Sequence, residues 1–106
     1  MVYLEIFTND KKEMIDFYVN KLGIFSVLGD RLICKLGVEL ILDLRDADIP
    51  SQINLGIRFE SLSIIKSLEE FNIPYKLEDN IAGQRLHIID PNNNKLWITT
   101  SSDEIN

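Results

Sequence analysis

Tyr3-Leu4-Glu5-Ile6-Phe7, then Asp10-Lys11-Lys12-Glu13, then Met14, Phe17, Tyr18, Leu22 and Gly23 make up the stretch that decides the fold. The first five residues alternate as a strand with one buried face does. Asp10 followed three residues later by Glu13 predicts a capped helix start. Met14, Phe17, Tyr18 and Leu22 recur at helical spacing, and Gly23 stands where a helix C-cap belongs. The same order returns from Ile53 to Pro74. Asn54-Leu55-Gly56-Ile57 falls on Tyr3-Leu4-Glu5-Ile6, Ile65 on Met14, Leu68 on Phe17 and Ile73 on Leu22, with Pro74 replacing Gly23 as the helix stop. Few identities survive, but the period does, so the chain reads as two copies of one strand–helix unit.

Each unit continues into a meander. In the first, Ile24 to Leu28, Arg31 to Lys35 and Val38 to Asp43 read as strands, with Gly29-Asp30 and Leu36-Gly37 as turns. Arg45 to Gln52 is polar, carries Pro50, and reads as a linker. In the second, Ser61 can cap a helix over Leu62 to Asn72. Ile73 to Leu77 reads as a short strand, Glu78 to Gly83 as a loop, and Arg85 to Ile89 with Lys95 to Thr100 as a hairpin across Asp90-Pro91-Asn92-Asn93-Asn94. Arg31-Leu32-Ile33-Cys34 echoes Arg85-Leu86-His87-Ile88, and Val38-Glu39-Leu40-Ile41 echoes Leu96-Trp97-Ile98-Thr99. The expected class is α+β, with modules at 1–44 and 53–100 inside a single domain spanning 1–106.

Alternation also assigns faces. Val2, Leu4 and Ile6 face the helices, which leaves Tyr3, Glu5 and Phe7 on the other side with Glu39, Ile41 and Asp43. In the second unit Asn54, Gly56 and Arg58 oppose Leu55, Ile57 and Phe59, while Trp97 and Thr99 oppose Leu96 and Ile98. A sheet face mixing aromatic rings with carboxylates, Arg, Asn and His reads as the lining of a small-molecule pocket.

At this point the sequence resembles the vicinal oxygen chelate superfamily: glyoxalase I, bleomycin-resistance proteins and extradiol dioxygenases. The resemblance rests on Asp10 with Phe17-Tyr18 and Leu22-Gly23, and on Asp90-Pro91-Asn92-Asn93-Asn94-Lys95-Leu96. It covers nearly the whole chain and implies paired βαβββ modules whose curved mixed sheets form a cup. It also implies a metal site with one ligand from the first and one from the last strand of each module. Those positions hold Tyr3, Glu39, Asn54 and Trp97. Only Glu39 keeps a ligand type, and an indole is a donor with no lone pair to offer. The expectation is therefore no metal and no cofactor, with a pocket lined by Tyr3, Glu39, Asn54, Arg58, His87 and Trp97. Glu39 is read as the remnant of a metal site, as a ligand anchor or as the partner of Arg58 or Arg85.

Composition narrows the functional classes. The chain has 106 residues, 45% hydrophobic, and a formal charge of −6. A surplus of acid with no basic stripe argues against nucleic acid and against anionic membrane surfaces. No apolar run approaches the roughly 20 residues that span a bilayer. Strand-like sequence from Val2 onward predicts no signal peptide. The single cysteine, Cys34, forms no internal disulfide and suits a reducing cytoplasm. The primary reading is a cytoplasmic, homodimeric, metal-independent small-molecule-binding protein of the bleomycin-resistance or glyoxalase-like kind. One alternative is a lyase or dioxygenase with a rearranged metal site using Glu39 and His87. Another is a dimeric interaction module without a ligand.

Overall fold

The computed structural model of the chain describes residues 2–35, 39–58, 64–80 and 83–100. The chain divides into two compact units, Met1–Gln52 and Ile53–Asn106. Each holds one four-stranded mixed sheet, and the two repeat the same βαβββ order, so the fold class is α+β.

In the first unit β1 (Val2–Thr8) leads into α1 (Lys11–Ile15), which continues as a π-helical segment over Asp16–Lys21. The strands β2 (Phe25–Leu28), β3 (Arg31–Cys34) and β4 (Leu40–Asp46) complete it. Their order in the sheet is β1-β4-β3-β2, with β1 and β4 parallel and the other pairs antiparallel. A parallel pair requires a crossover, and the helix with the β2–β3 hairpin supplies it. Asp10 caps α1 as its sequence implies, accepting from the Glu13 amide at 3.0 Å. Gly23 has φ +71°, the left-handed geometry that a residue with a Cβ adopts at a cost.

The π-helical turn departs from the regular helix expected over Met14 to Leu22. The Leu22 amide reaches the Phe17 carbonyl at 2.8 Å, one residue further than an α-turn allows. Both Phe17 and Tyr18 stay buried, and Tyr18 stacks edge-on against Phe17 and Phe25 at 5.2 and 5.4 Å. With Ile6, Met14, Leu32, Leu42 and Leu44 they form this unit's core. Because β4 lies between β1 and β3, Ile41 and Asp43 are buried as well. The stretch read as a linker is tied down at both ends. Arg45 and Asp46 extend β4, the Ala47 amide donates to the Thr8 carbonyl at 3.0 Å, and the Ser51 amide to the Phe7 carbonyl at 2.8 Å.

In the second unit β5 (Asn54–Arg58), α2 (Ile64–Glu70), β6 (Tyr75–Asn80), β7 (Gly83–Ile89) and β8 (Lys95–Thr100) give the order β5-β8-β7-β6, with β5 and β8 parallel. Its core joins Ile64, Leu68, Leu86, Ile88, Leu96 and Ile98. Three expectations are corrected here. Ile64 is buried rather than its neighbour Ile65. Asn72, not Pro74, stops α2: it takes φ +55°, its amide donates to the Glu69 carbonyl and the Ile73 amide to the Leu68 carbonyl, a Schellman closure. Glu78 to Asn80 and Gly83 are strand, not loop, because Glu78 lies opposite Arg85 and Asn80 opposite Gly83 in the β6–β7 ladder. Polar residues persist in that strand because β6 is an edge. The proposed Ser61 cap and residues 81–82 lie outside the described residues.

The Asp90 turn is a buried polar cluster. The Asp90 carboxylate accepts from the Asn92 and Asn94 amides at 2.9 and 2.8 Å and from Asn94 Nδ2 at 2.9 Å. Asn94 Oδ1 then accepts from the Ile53 amide at 2.7 Å, fastening the entry to β5 onto the β7–β8 turn. Asn93 holds φ +64°, a role Asn takes more readily than most residues.

Candidate functional site

Register places the ionisable and aromatic residues of the second unit in rows across one sheet face. Gly56 pairs with Trp97, Trp97 with His87, and His87 with Lys76. The neighbouring row runs Arg58, Thr99, Arg85, Glu78, and the row on the other side contains Asn54, Lys95 and Ile89. The opposite parity carries Leu55, Leu86, Ile88, Leu96 and Ile98. The period of the strands thus separates a core face from a face with chemistry on it.

Trp97 is half-buried and its ring is held from two sides. The benzo edge of the indole lies over Gly56, so close that a Cβ there would stand 2.5 Å from Cζ2. The Arg85 guanidinium lies 4.4 Å from the ring centroid, within cation–π range. His87 sits in the next strand with Nε2 3.4 Å from a Glu78 oxygen, and that nitrogen is shielded from solvent with no hydrogen bond. Arg85 Nε is likewise buried without a hydrogen bond.

Beside His87 the face is hollow. One cavity of about 270 Å³ is bordered by Lys76, Glu78, His87, Ile89 and Lys95. A second, of about 590 Å³, is bordered by Pro74, Tyr75, Lys76, His87 and Ile89. The two share Lys76, His87 and Ile89 and so adjoin along the β6–β7 pair.

The expected pocket residues separate between the units. His87 and Trp97 are cross-strand neighbours, and Asn54 is exposed on β5 two residues before Gly56. Arg58 lies in β5, but its side chain is outside the described residues. Tyr3 and Glu39 belong to the first unit. Tyr3 is 55% exposed on β1 with the Arg31 guanidinium 5.5 Å from its ring, and Glu39 is exposed just before β4. On that face the enclosed carboxylate is Asp43, paired with Arg45 at 2.9 Å. Gly56, Lys76, Glu78, Arg85 and Lys95 share this face without being among the expected site residues. Each shares strand parity or register with His87 and Trp97, which is the signal that finds them.

The positions where the superfamily keeps its metal do not fit a divalent ion. Trp97 offers no lone pair, Tyr3 presents its ring to Arg31, and hard or borderline cations need several converging anionic or imidazole donors. Among the described residues no three or more His, Cys, Asp or Glu side chains come together as a metal-holding group.

Comparison with solved structures places this architecture. An antibiotic-binding protein, TnmS3, from a Streptomyces species superposes with a TM-score of 0.79 at 22% identity, over 94% of this chain and 93% of that one. A lactoylglutathione lyase from Agrobacterium tumefaciens matches with a TM-score of 0.68 at 19% identity, over 94% and 92%. A glyoxalase/bleomycin resistance protein/dioxygenase from Alicyclobacillus acidocaldarius matches with a TM-score of 0.62 at 26% identity, over 95% and 90%. No family model matches the sequence, and no curated protein is significantly similar to it. The fold is that of the vicinal oxygen chelate superfamily, in agreement with the resemblance carried by Asp10, Phe17-Tyr18, Leu22-Gly23 and the Asp90 turn.

Proposed function

We propose that the chain is a metal-independent binding protein for a small organic molecule, of the bleomycin-resistance and glyoxalase-like kind. The observation that carries this reading is the cavity of about 590 Å³ beside His87. Its volume falls within the roughly 300–1,000 Å³ of small-molecule sites, and its border combines apolar walls with a few polar groups, as such sites do. The existence of an antibiotic-binding protein with the same fold supports the reading. Metal independence follows from the donor set: Tyr3, Asn54 and Trp97 stand where ligands would be needed. Of the expected contact residues His87 borders this cavity and Trp97 is its cross-strand neighbour; Asn54 and Arg58 lie on β5 of the same sheet, and Tyr3 and Glu39 belong to the first unit.

The protein acts as a homodimer in the cytoplasm on this proposal. Edge strands β2 and β6 leave Val27, Leu28 and Leu77 exposed, and uncovered edges invite a partner. No helix among the described residues is long and apolar enough to cross a membrane.

The test is a titration of a panel of aromatic natural products, read by Trp97 emission, beside metal analysis of dialysed protein. Binding should perturb the emission and persist in chelator. Trp97→Ala should weaken it by about 2 kcal/mol, the threshold of a hot spot. About one zinc, nickel, manganese or iron per chain, lost together with binding on chelation, would overturn the reading in favour of a metal-dependent lyase or dioxygenase.

A further inference from the structure

We propose that the ligand is an organic anion, an aryl or alkyl carboxylate, with its charged group between Lys76, His87 and Lys95 and its apolar body against Pro74 and Ile89. This rests on the small-molecule reading and specifies its chemistry.

The carrying observation is a local charge balance opposite to that of the whole chain. The protein bears a formal charge of −6. Yet among the described residues the sheet face around the two cavities gathers Lys76, Lys95 and Arg85, with His87 among them, against one carboxylate, Glu78. In the first unit three of the six Lys and Arg side chains have acidic partners: Lys11 reaches Asp30 and Asp46, Lys21 reaches Asp16, and Arg45 reaches Asp43, while Arg31 lies over the Tyr3 ring. On the second unit's face Glu78 is engaged by His87. Among the described residues no carboxylate lies within ion-pair distance of Lys76, Lys95 or Arg85. Like charges on neighbouring strands repel unless something negative joins them.

The placement selects a particular kind of anion. Lys76 and Lys95 both border the smaller cavity, and His87 stands between it and the larger one. The His87 ring borders both cavities, while its Nε2 is turned toward Glu78 at 3.4 Å. The larger cavity continues past Pro74, Tyr75 and Ile89, where a hydrated inorganic ion gains nothing and a ring or chain does. A border of cations beside an apolar wall matches one anionic head on an apolar body. It disfavours a neutral or cationic molecule of the same shape, because that molecule leaves the lysines unpaired.

Calorimetric titration with 2-naphthoate, 2-naphthamide and 2-naphthyltrimethylammonium tests this. These probes share a ring system and differ in charge. The native protein should bind naphthoate at least tenfold more tightly than the amide and bind the ammonium compound least. Lys76→Met, at an exposed edge-strand position, should reduce that preference to threefold or less, and Lys76→Arg should keep it. Equal binding of all three, or a preference for the ammonium compound, overturns the anion inference and leaves small-molecule binding standing. A naphthoate preference that survives in both Lys76→Met and Lys95→Met also overturns it, since the charge would then be read elsewhere. Failure of all three probes to bind at millimolar concentration overturns the small-molecule reading and this inference together.

Discussion

Replacing Gly56 by alanine tests whether the Trp97 ring is locked in place. A Cβ at Gly56 would meet Trp97 Cζ2 at 2.5 Å and both Cε2 and Cη2 at 2.7 Å. Carbon atoms in good contact sit about 3.5–4.0 Å apart, so the indole must retreat by about 1 Å or more. Retreat disturbs its contact with the Arg85 guanidinium at 4.4 Å. Overpacking of this kind costs about 1–3 kcal/mol. Opposing it, glycine inside a strand is itself about 0.5–1 kcal/mol worse than alanine for entropic reasons. The balance is a net destabilisation of roughly 0–2.5 kcal/mol, readable in urea unfolding. In thermal unfolding each kcal/mol lowers Tm by about 4–8 °C for a domain of this size. A double-mutant cycle isolates the cause, because the alanine penalty should vanish in a Trp97→Ala background. If Gly56→Ala proves more stable than the native chain, the indole moves freely and the ring is not locked.

Asp90→Ala should cost at least about 3 kcal/mol, since it strands three buried donors at about 1–3 kcal/mol each, as chemical denaturation will show; a loss under about 1 kcal/mol would contradict the role assigned to the turn. Tyr75 donates to Glu69 at 2.9 Å, and that hydrogen bond, with smaller help from desolvation and the Glu69 charge, holds the phenol above its ordinary pKa of 10.0. A raised folded-state value means a contribution fully present below pH 10.0 and lost as pH rises through the folded value. The stability difference between native protein and Tyr75→Phe should therefore be constant at neutral pH and shrink above about pH 10. A difference that widens there would reverse the assignment. Light scattering at micromolar concentration should give twice the 12.2 kDa chain mass, and the chain mass itself would refute the proposed homodimer.

Local pattern was enough to reveal the repeated strand–helix unit, the Asp10 cap, the left-handed Gly23 and the Asn-rich turn. Each depends on residues a few positions apart, whose spacing repeats the geometry of helix, strand or cap. Strand parity also placed His87 and Trp97 on one face, because alternation is a property of the strand itself. Tertiary structure decided what spacing cannot encode. The π-helical turn, the burial of Ile64 rather than Ile65 and the extension of β6 through polar Glu78 to Asn80 all follow from partners elsewhere in the unit. The same holds for the site. That Gly56 yields its space to Trp97, that Arg85 stacks on the ring, and that Lys76, His87 and Lys95 border one hollow are results of register between strands. Register is set by matching the buried faces of two strands and by the geometry of the turns that join them, so no single strand carries it.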